Sequence, residues 1–485
     1  MATEANRPAG FPPDVLVTLD RSQARDLRGQ LEAQLRRAVQ DGRLLDGARL
    51  PPSRTLAADL GVSRSVVVDA YGQLAADGYL EARQGSGTRV RGIHAPESVG
   101  PPRVARAPTA QFIGGLPDPA WFPRRDWLRH YRAALLSAPD AALTYPGPHG
   151  AHELREALGS YLGRVRGVTT SPDRMLIATG FTQALMLVCR ALHARGVQRI
   201  ALENPCFGFH RQAIATVGLQ PVPIAVDEDG IDVDALAACD VGAVLVAPAH
   251  SYPTGAVLSA TRRERLVAWA RSHNALVIED DYDAEFRYDR AAVGALQGLA
   301  PEHVVYAGCA SKTLSPALRL GWLAAPAALV DDLAREKVFD DLGSGMLEQL
   351  ALARLVESGD FSRHLRRVRP LYRRRRDAAL DAVAKQLPDA SPMGIAAGLH
   401  LYLRLPDGCD EAKLIEAARA HRVLVEGGAW HWAQPDTAPP ALVLGYGSQS
   451  EPAIARGVAI LAAEFAHAGS PDTGDGHDSP RLQRS

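Results

Sequence analysis

The chain has 485 residues, and of its 54 Lys and Arg side chains only Lys312, Lys337, Lys385 and Lys413 are lysines. Chemistry that needs a primary amine therefore has few candidates. Lys312, the first lysine in the chain, follows a short apolar run in HVVYAGCASKTLSPALRLG. An amine held at the end of a buried strand can form a Schiff base with an aldehyde. Arg319 stands seven residues further on and offers a guanidinium fork for a phosphate. Asp280 closes a second apolar run, ALVIEDDY, where a carboxylate can pair with a pyridinium nitrogen. Amine, acid and phosphate-binding arginine are together what pyridoxal 5'-phosphate asks of a protein. Each has a plainer reading alone: a solvated lysine, a turn acid, a surface arginine.

A second group lies near the N-terminus, in LPPSRTLAADLGVSRSVVVDAYGQLAADGYLEARQGSGTRV. Ser63, Arg64 and Ser65 open one helical stretch, and Arg54 falls just inside the one before it. Leu27, Leu31, Leu35 and Val39 recur every four residues and predict an amphipathic first helix stopping near Gly42. Ser53 reads as the N-cap of a short helix ended by Gly61, and Ser63 as the cap of a third that stops at Gly78. Two helices about a tight glycine turn are a helix-turn-helix signal. YLEAR and TRVR, joined by QGSG, read as a hairpin that would form a wing.

Five apolar runs, RMLIATG, RIALENP, GAVLVAP, ALVIEDDY and HVVYAGCA, are spaced by helical patterns. Buried strands alternating with helices predict an α/β domain with a mainly parallel sheet. Ligands gather at the carboxyl ends of such strands, where Gly180, Asp280, Tyr282 and Lys312 fall.

The overall charge is close to balanced, 54 basic against 55 acidic residues, so no global field recruits nucleic acid or membrane. Residues 1–90 hold twelve Arg and eleven acids, and any DNA contact there must be local. Five scattered cysteines without Cys-x-x-Cys spacing argue against a disulfide framework or structural zinc. No signal-peptide pattern or long apolar run appears, and the chain reads as cytoplasmic, without a membrane span. Proline-rich residues 92–110 read as a linker between a domain at 14–91 and one at 111–468, and 469–485 as a disordered tail.

Residues 25–90 closely resemble the winged-helix DNA-binding domain of GntR-type bacterial transcription regulators. The resemblance implies double-stranded DNA as a partner, with the third helix in the major groove. It implies contacts from Arg54, Ser63, Arg64 and Ser65, and from the wing-tip residues Gly85 and Ser86. Val68 stands where some relatives carry a further base-contacting arginine, so base specificity does not carry over.

Residues 112–465 are similar to fold-type I aminotransferases, through YPGPHGAHELREAL, TGFTQALML, ENPCFGF, AHSYPTG, VIEDDYDAEFRY and CASKTLSPALRLGW. The likeness implies an α/β fold-type I PLP-dependent aminotransferase-like domain with a smaller C-terminal α+β lobe. It implies Lys312 as the aldimine lysine, Asp280 at the ring nitrogen, Tyr282 at the ring hydroxyl and Phe207 stacked on the ring. Gly180, Phe181, Thr182 and Arg319 would take the phosphate. Tyr145 would reach the neighbouring subunit's phosphate, which makes the protein a homodimer.

The two parts joined resemble the MocR subfamily of GntR regulators, including its GABA- and pyridoxine-responsive types. Three departures bear on function. Cys309 replaces a hydroxyl donor to the phosphate, and a thiol donates weakly. Tyr252 replaces an asparagine at the ring oxygen, and His250, two residues earlier, reads either as a substitute donor or as a buried structural histidine. Val443 takes the place of the arginine that grips a substrate carboxylate, so α-amino acids are expected to engage poorly. The implied function is a PLP-dependent, DNA-binding transcriptional regulator that senses PLP or a small amine or amino compound through a lysine aldimine and controls vitamin B6 or amino-compound metabolism, with an active aminotransferase carrying an autoregulatory DNA module as the alternative. Trp430, His431 and Trp432 are expected to pack in the small lobe. Arg363–Arg376 is expected to form a long solvated helix interrupted at Pro370 rather than a second DNA surface.

Overall fold

The computed structural model describes residues 17–21, 26–83, 87–91, 108–288 and 293–468. The chain divides into two compact units, Met1–Arg106 and Ala107–Ser485.

In the first unit, α1 (Leu27–Gln40), α2 (Ser53–Leu60) and α3 (Arg64–Ala76) precede an antiparallel pair, β1 (Leu80–Arg83) and β2 (Gly87–Val90). Leu31, Leu35, Leu56, Val67 and Leu74 close its core. Gly61 ends α2 in the left-handed conformation, φ 62°, which a side chain would resist. Ser53 is the first residue of α2 and not its cap: Pro52 holds that place, since its fixed φ of −55° suits the entry to a helix. Ser63 does precede α3, but its hydroxyl faces Ser65 Oγ at 2.8 Å and caps no backbone N–H.

The second unit opens with β3 (Ala110–Phe112), α4 (Arg124–Ser137) and α5 (His152–Arg166). The alternating body follows: β4 (Met175–Ala178), α6 (Phe181–Ala194), β5 (Arg199–Asn204), α7 (Gly208–Thr216), β6 (Gln220–Asp227), β7 (Gly230–Ile231), α8 (Val233–Ala237), β8 (Ala243–Val246), α9 (Ala260–Ser272), β9 (Leu276–Asp281), β10 (Val304–Cys309) and β11 (Gly321–Ala324). These strands form one sheet in the order β4-β11-β10-β9-β8-β5-β6-β7. β10, β9, β8, β5 and β6 run parallel, while β11 opposes both its neighbours. The five apolar runs of the sequence are β4, β5, β8, β9 and β10. β6 escapes that reading because Pro221 and Pro223 interrupt it. Its outer edge is paired only at Val226 and Asp227, and an unpaired edge tolerates prolines.

Helices α10 (Ala327–Asp341), α11 (Met346–Glu357) and α12 (Asp360–Gln386) lead to the small lobe. There β12 (Ser391–Met393), β13 (His400–Arg404), α13 (Glu411–Ala420), β14 (Val423–Gly427), β15 (Ala441–Gly445) and α14 (Glu451–Ala468) complete the unit. Its sheet runs β12-β13-β15-β14-β3, so the strand that opens the unit is returned to the lobe that closes it. Pro370 lies within α12, which is not interrupted there. Phe361, His364, Val368, Leu371, Tyr372 and Arg375 bury one face on both sides of the proline, and that packing outweighs one lost hydrogen bond. Arg375 itself is buried, bonded to Asp118 at 2.7 Å and to the Gly447 carbonyl.

Among the described residues no helix is long and apolar enough to cross a membrane. The charge that matters most to the large sheet is internal. Arg166 Nε donates to Asp281 at 2.7 Å, Tyr306 donates to the same carboxylate at 2.6 Å, and all three residues are buried. Burial works against the Arg166 charge, but Asp281 outweighs it and raises the guanidinium pKa further. Arg166→Met leaves Asp281 buried and unpaired, so we expect a loss of about 3–5 kcal/mol, read as a lower urea midpoint for this unit.

Candidate functional site

At the carboxyl ends of the parallel strands lies a cavity of ≈ 250 Å³. Lys312, Asp280, Tyr282, Phe207, Phe181, Thr182 and Arg319 all line it, together with Cys309 and Tyr252. The sheet dictates this convergence: β9 delivers Asp280 and β10 leads into the turn with Lys312. The turn after β4 delivers the start of α6, and the end of β5 delivers Phe207.

Gly180 adopts φ +113° at the entry to α6, and Gly321 packs onto its backbone so closely that a Cβ there would lie 2.8 Å from Gly180 Cα. A Cβ on Gly180 would sit 3.2 Å from the Arg319 guanidinium, itself held at φ +50°. Arg319 thus faces the N-terminus of a fourteen-residue helix, where free N–H groups and the helix dipole favour an anion. On the other side the amine of Lys312 crowds Gly115, 2.9 Å from where a Cβ would stand.

Asp280 is buried, and its Oδ1 has no hydrogen-bond partner. Burial pushes its carboxyl well above the ordinary carboxylate range; the charges of Asp281 and Asp283 add to the rise, and Lys312 opposes it. Tyr282 stays a neutral phenol, raised mainly by burial, and its hydroxyl lies 2.9 Å from His250 Nδ1. His250 Nδ1 also lies 2.9 Å from Asp283 Oδ2. His250 is buried and does not line the cavity, so it reaches it through Tyr282 rather than directly.

The structure does not bring Tyr145 into this cavity: its side chain is 86% exposed. Residues the sequence reading missed are Gly114, Gly115, His210, Ser311 and Pro316. Ser311 adjoins Lys312 and bonds Cys309, so a hydroxyl stands beside the weak thiol, and its adjacency to Lys312 is the signal that points to it. Gly114 and Gly115 carry no local signal, because they arrive from β3 some two hundred residues before Lys312.

In the first unit Arg54, Ser63, Arg64 and Ser65 are all exposed, and Arg64 Nε reaches Ser53 Oγ at 3.4 Å. Val68 is exposed on the same helix. Gly85 and Ser86 lie outside the described residues, as do most of the proline-rich stretch and the tail. Among the described residues no group of His, Cys, Asp and Glu could hold a metal ion.

His210 is wedged between the rings of Phe181 and Phe207, with centroids 5.1 and 5.3 Å away. Burial first, and the nearby Arg211 charge second, lower its pKa from 6.5 to about 4. Between those values the unfolded chain binds the proton and the folded chain does not, so stability falls as the pH drops through that window. His210→Gln should flatten this part of the pH dependence, measured as the urea midpoint from pH 6.5 to 4.

The family profile of aminotransferase class I and II matches residues 124–429, and that of bacterial regulatory proteins, gntR family, matches residues 27–90. The HTH-type pyridoxine biosynthesis transcriptional regulator PdxR of Corynebacterium glutamicum is 33% identical, over 90% of this chain and 96% of that protein. The uncharacterized HTH-type regulator YhdI of Bacillus subtilis is 31% identical, over 93% and 98%. The probable rhizopine catabolism regulatory protein MocR of Rhizobium meliloti is also 31% identical, over 84% and 87%. Among solved structures, kynurenine aminotransferase of Pyrococcus horikoshii, in complex with PMP, superposes with a TM-score of 0.69 at 26% identity, covering 74% of this chain and 91% of that one. The α-aminoadipate aminotransferase LysN of Thermus thermophilus, complexed with N-(5'-phosphopyridoxyl)-L-leucine, gives 0.67 at 27% identity, over 74% and 92%.

Proposed function

The chain belongs to the MocR subfamily of the GntR regulators, HTH-type transcriptional regulators with an aminotransferase-like domain, and from that premise we propose that its second unit holds pyridoxal 5'-phosphate and responds to PLP itself or to a small amine or amino compound. The observation that carries the reading is the cavity: a lysine amine, a buried carboxylate with a free oxygen, and an arginine opposite a helix N-terminus, all on one wall system.

When bound, pyridoxal phosphate supplies an aldehyde that condenses with amines and a ring that withdraws electrons. Lys312 would hold the aldehyde carbon. Asp280, costly to ionise alone in its buried place, would gain a partner in a protonated ring nitrogen. Tyr282, oriented by His250, would donate to the ring hydroxyl, and Phe207 would lie against the ring face. The α6 N-terminus at Gly180, Phe181 and Thr182 would take the phosphate with Arg319, and Ser311 would offset the poor donor at Cys309.

Homodimer formation is part of the same reading. Tyr145 is a strongly exposed aromatic, and Leu128, Leu136, Leu143 and Phe339 are exposed apolar residues that a second copy would cover. Arg54, Ser63, Arg64 and Ser65, with the wing tip at Gly85 and Ser86, would contact double-stranded DNA. Control of vitamin B6 supply or of amino-compound metabolism follows from the same reading, and the name of the Corynebacterium relative, a pyridoxine biosynthesis regulator, favours the first. The second reading is a working aminotransferase with an autoregulatory DNA module, which the complete Lys312, Asp280 and Arg319 set favours. Buried Val443, which offers no fork to a substrate carboxylate, argues against efficient turnover.

Borohydride treatment of the PLP-loaded chain should fix the cofactor's mass to the peptide containing Lys312, and Lys312→Ala should abolish it. PLP should also shift affinity for the chain's own upstream DNA, and fail to do so in Lys312→Ala. DNA affinity unchanged by PLP in the unaltered protein would overturn the sensor reading, and steady transamination would favour the enzyme. For the DNA surface, Arg54→Gln and Arg64→Gln should each reduce the salt slope of binding by about 1. Arg373→Gln with Arg374→Gln should leave it unchanged, because those side chains face Asp377 and Glu451.

A further inference from the structure

Tyr252 lines the cavity without taking any of the cofactor's assigned contacts. It begins a row of rings: Tyr252 to His431 at 5.1 Å and 84°, His431 to Trp430 at 5.3 Å and 82°, and Trp430 to Phe209 at 4.8 Å and 69°. Tyr252 lines the cavity, whereas Trp430 and Phe209 are solvent-exposed, so the row leads from the cavity outward. Each ring is nearly perpendicular to the next, which makes corners rather than a flat stack.

A carboxylate backs this row. Glu426 lies opposite Val443 in the β14–β15 ladder. Its Oε2 accepts from the Tyr252 hydroxyl at 3.5 Å, and its Oε1 is 3.4 Å from His431 Nε2. His431 is fully buried, yet neither ring nitrogen has a hydrogen-bond partner. The Glu426 side chain keeps 31% of its surface exposed, so it is not sealed in the core. Arg211 of α7 is committed to the backbone of the loop that carries these rings: it donates to the carbonyls of Trp430, His431 and Trp432 at 2.9, 2.6 and 2.7 Å. Val443 Cγ1 and the Tyr252 hydroxyl both close on Gly114, a cavity residue, from positions 3.0 and 2.5 Å from where its Cβ would be. The inner end of the wall is therefore apolar and phenolic, with a carboxylate behind it.

Ring faces at right angles beside a carboxylate attract an ammonium group and repel a carboxylate. We propose that Tyr252 and Trp430, with the Glu426 carboxylate beside Tyr252 and the buried His431 packed between the two rings, form a subsite for a cationic group, so that the effector is an amine bearing a second cationic centre, an α,ω-diamine in its simplest form, and not an amino acid. This rests on the reading that the cavity holds PLP and senses an amine, and it narrows that amine's class.

The test is calorimetric titration of the full-length, PLP-loaded protein with 1,3-diaminopropane, 1,4-diaminobutane and 1,5-diaminopentane, against butylamine and 4-aminobutanoate. At least one diamine should bind about tenfold more tightly than butylamine or 4-aminobutanoate. Glu426→Gln should bring that diamine to the level of butylamine, and Glu426→Lys should turn the preference toward 4-aminobutanoate, with unfolding midpoints like the unaltered protein's. Binding of 4-aminobutanoate as tightly as the best diamine overturns the subsite, as does an order of affinities unmoved by Glu426→Gln, or no amine binding at all. Borohydride trapping at Lys312 separates the two readings. If trapping fails and the Glu426-dependent diamine preference persists, the cofactor reading falls and the subsite stands. If trapping succeeds and the preference is missing, the subsite falls alone.

Discussion

Strand alternation on β9 is the constraint on which the second unit depends. Glu279, Asp280 and Asp281 are consecutive, all carboxylates and all buried. Successive side chains on a strand point to opposite faces. Glu279 accepts from the backbone N–H groups of Leu296 and Gln297 at 2.9 and 3.0 Å, and Asp281 is met by Arg166 and Tyr306. Asp280, between them, faces the other way and is left with a free oxygen in the cavity. Asp281 Oδ1 also lacks a partner, but Arg166 and Tyr306 meet that carboxylate through Oδ2, whereas Asp280 has no such cation or phenol among the described residues, a costly arrangement unless something pairs with it.

The remaining cavity groups are held by contacts that tie distant segments to the sheet. Gln183 Oε1 accepts from the Thr179 backbone at 2.8 Å, and its amide donates to Asp340 and Asp341, so α10 holds the turn that opens α6. Buried Lys337 donates to Asp341 at 2.7 Å and Ser344 at 2.9 Å in the same network. Its amine is committed to structure, which distinguishes it from Lys312. Arg211 binds α7 to the loop after β14, and Asn204 accepts from the Ala433 backbone at 2.8 Å. The aromatic wall therefore belongs to the large sheet and the small lobe together.

The first unit works on a different balance. Over residues 1–90 twelve Arg nearly cancel eleven acids, so affinity for DNA there cannot come from a general field. What it offers is placement: Arg54 near the start of one short helix, and Ser63, Arg64 and Ser65 at the start of the next, over a core closed by Leu56, Val67 and Leu74. Such an arrangement positions a few side chains well rather than many charges loosely.

The sequence by itself determined the two-part organisation, the helices α1 to α3, the five strands that carry the cavity, and the choice of Lys312, Asp280, Tyr282, Phe207 and Arg319, which line one cavity. Each signal is local: a leucine spacing, an apolar run with a functional residue at its end, a glycine that must take positive φ. Tertiary structure alone decided that α12 passes through Pro370, since a buried face on both sides outweighs one missing N–H. It decided that the prolines of β6 lie on a strand, since that edge is largely unpaired. It placed Gly114, Gly115 and Glu426 beside the cavity, and His250 behind Tyr282. No periodicity reports such meetings, because they join segments far apart in the chain, and only the closing of the sheets brings them within contact distance.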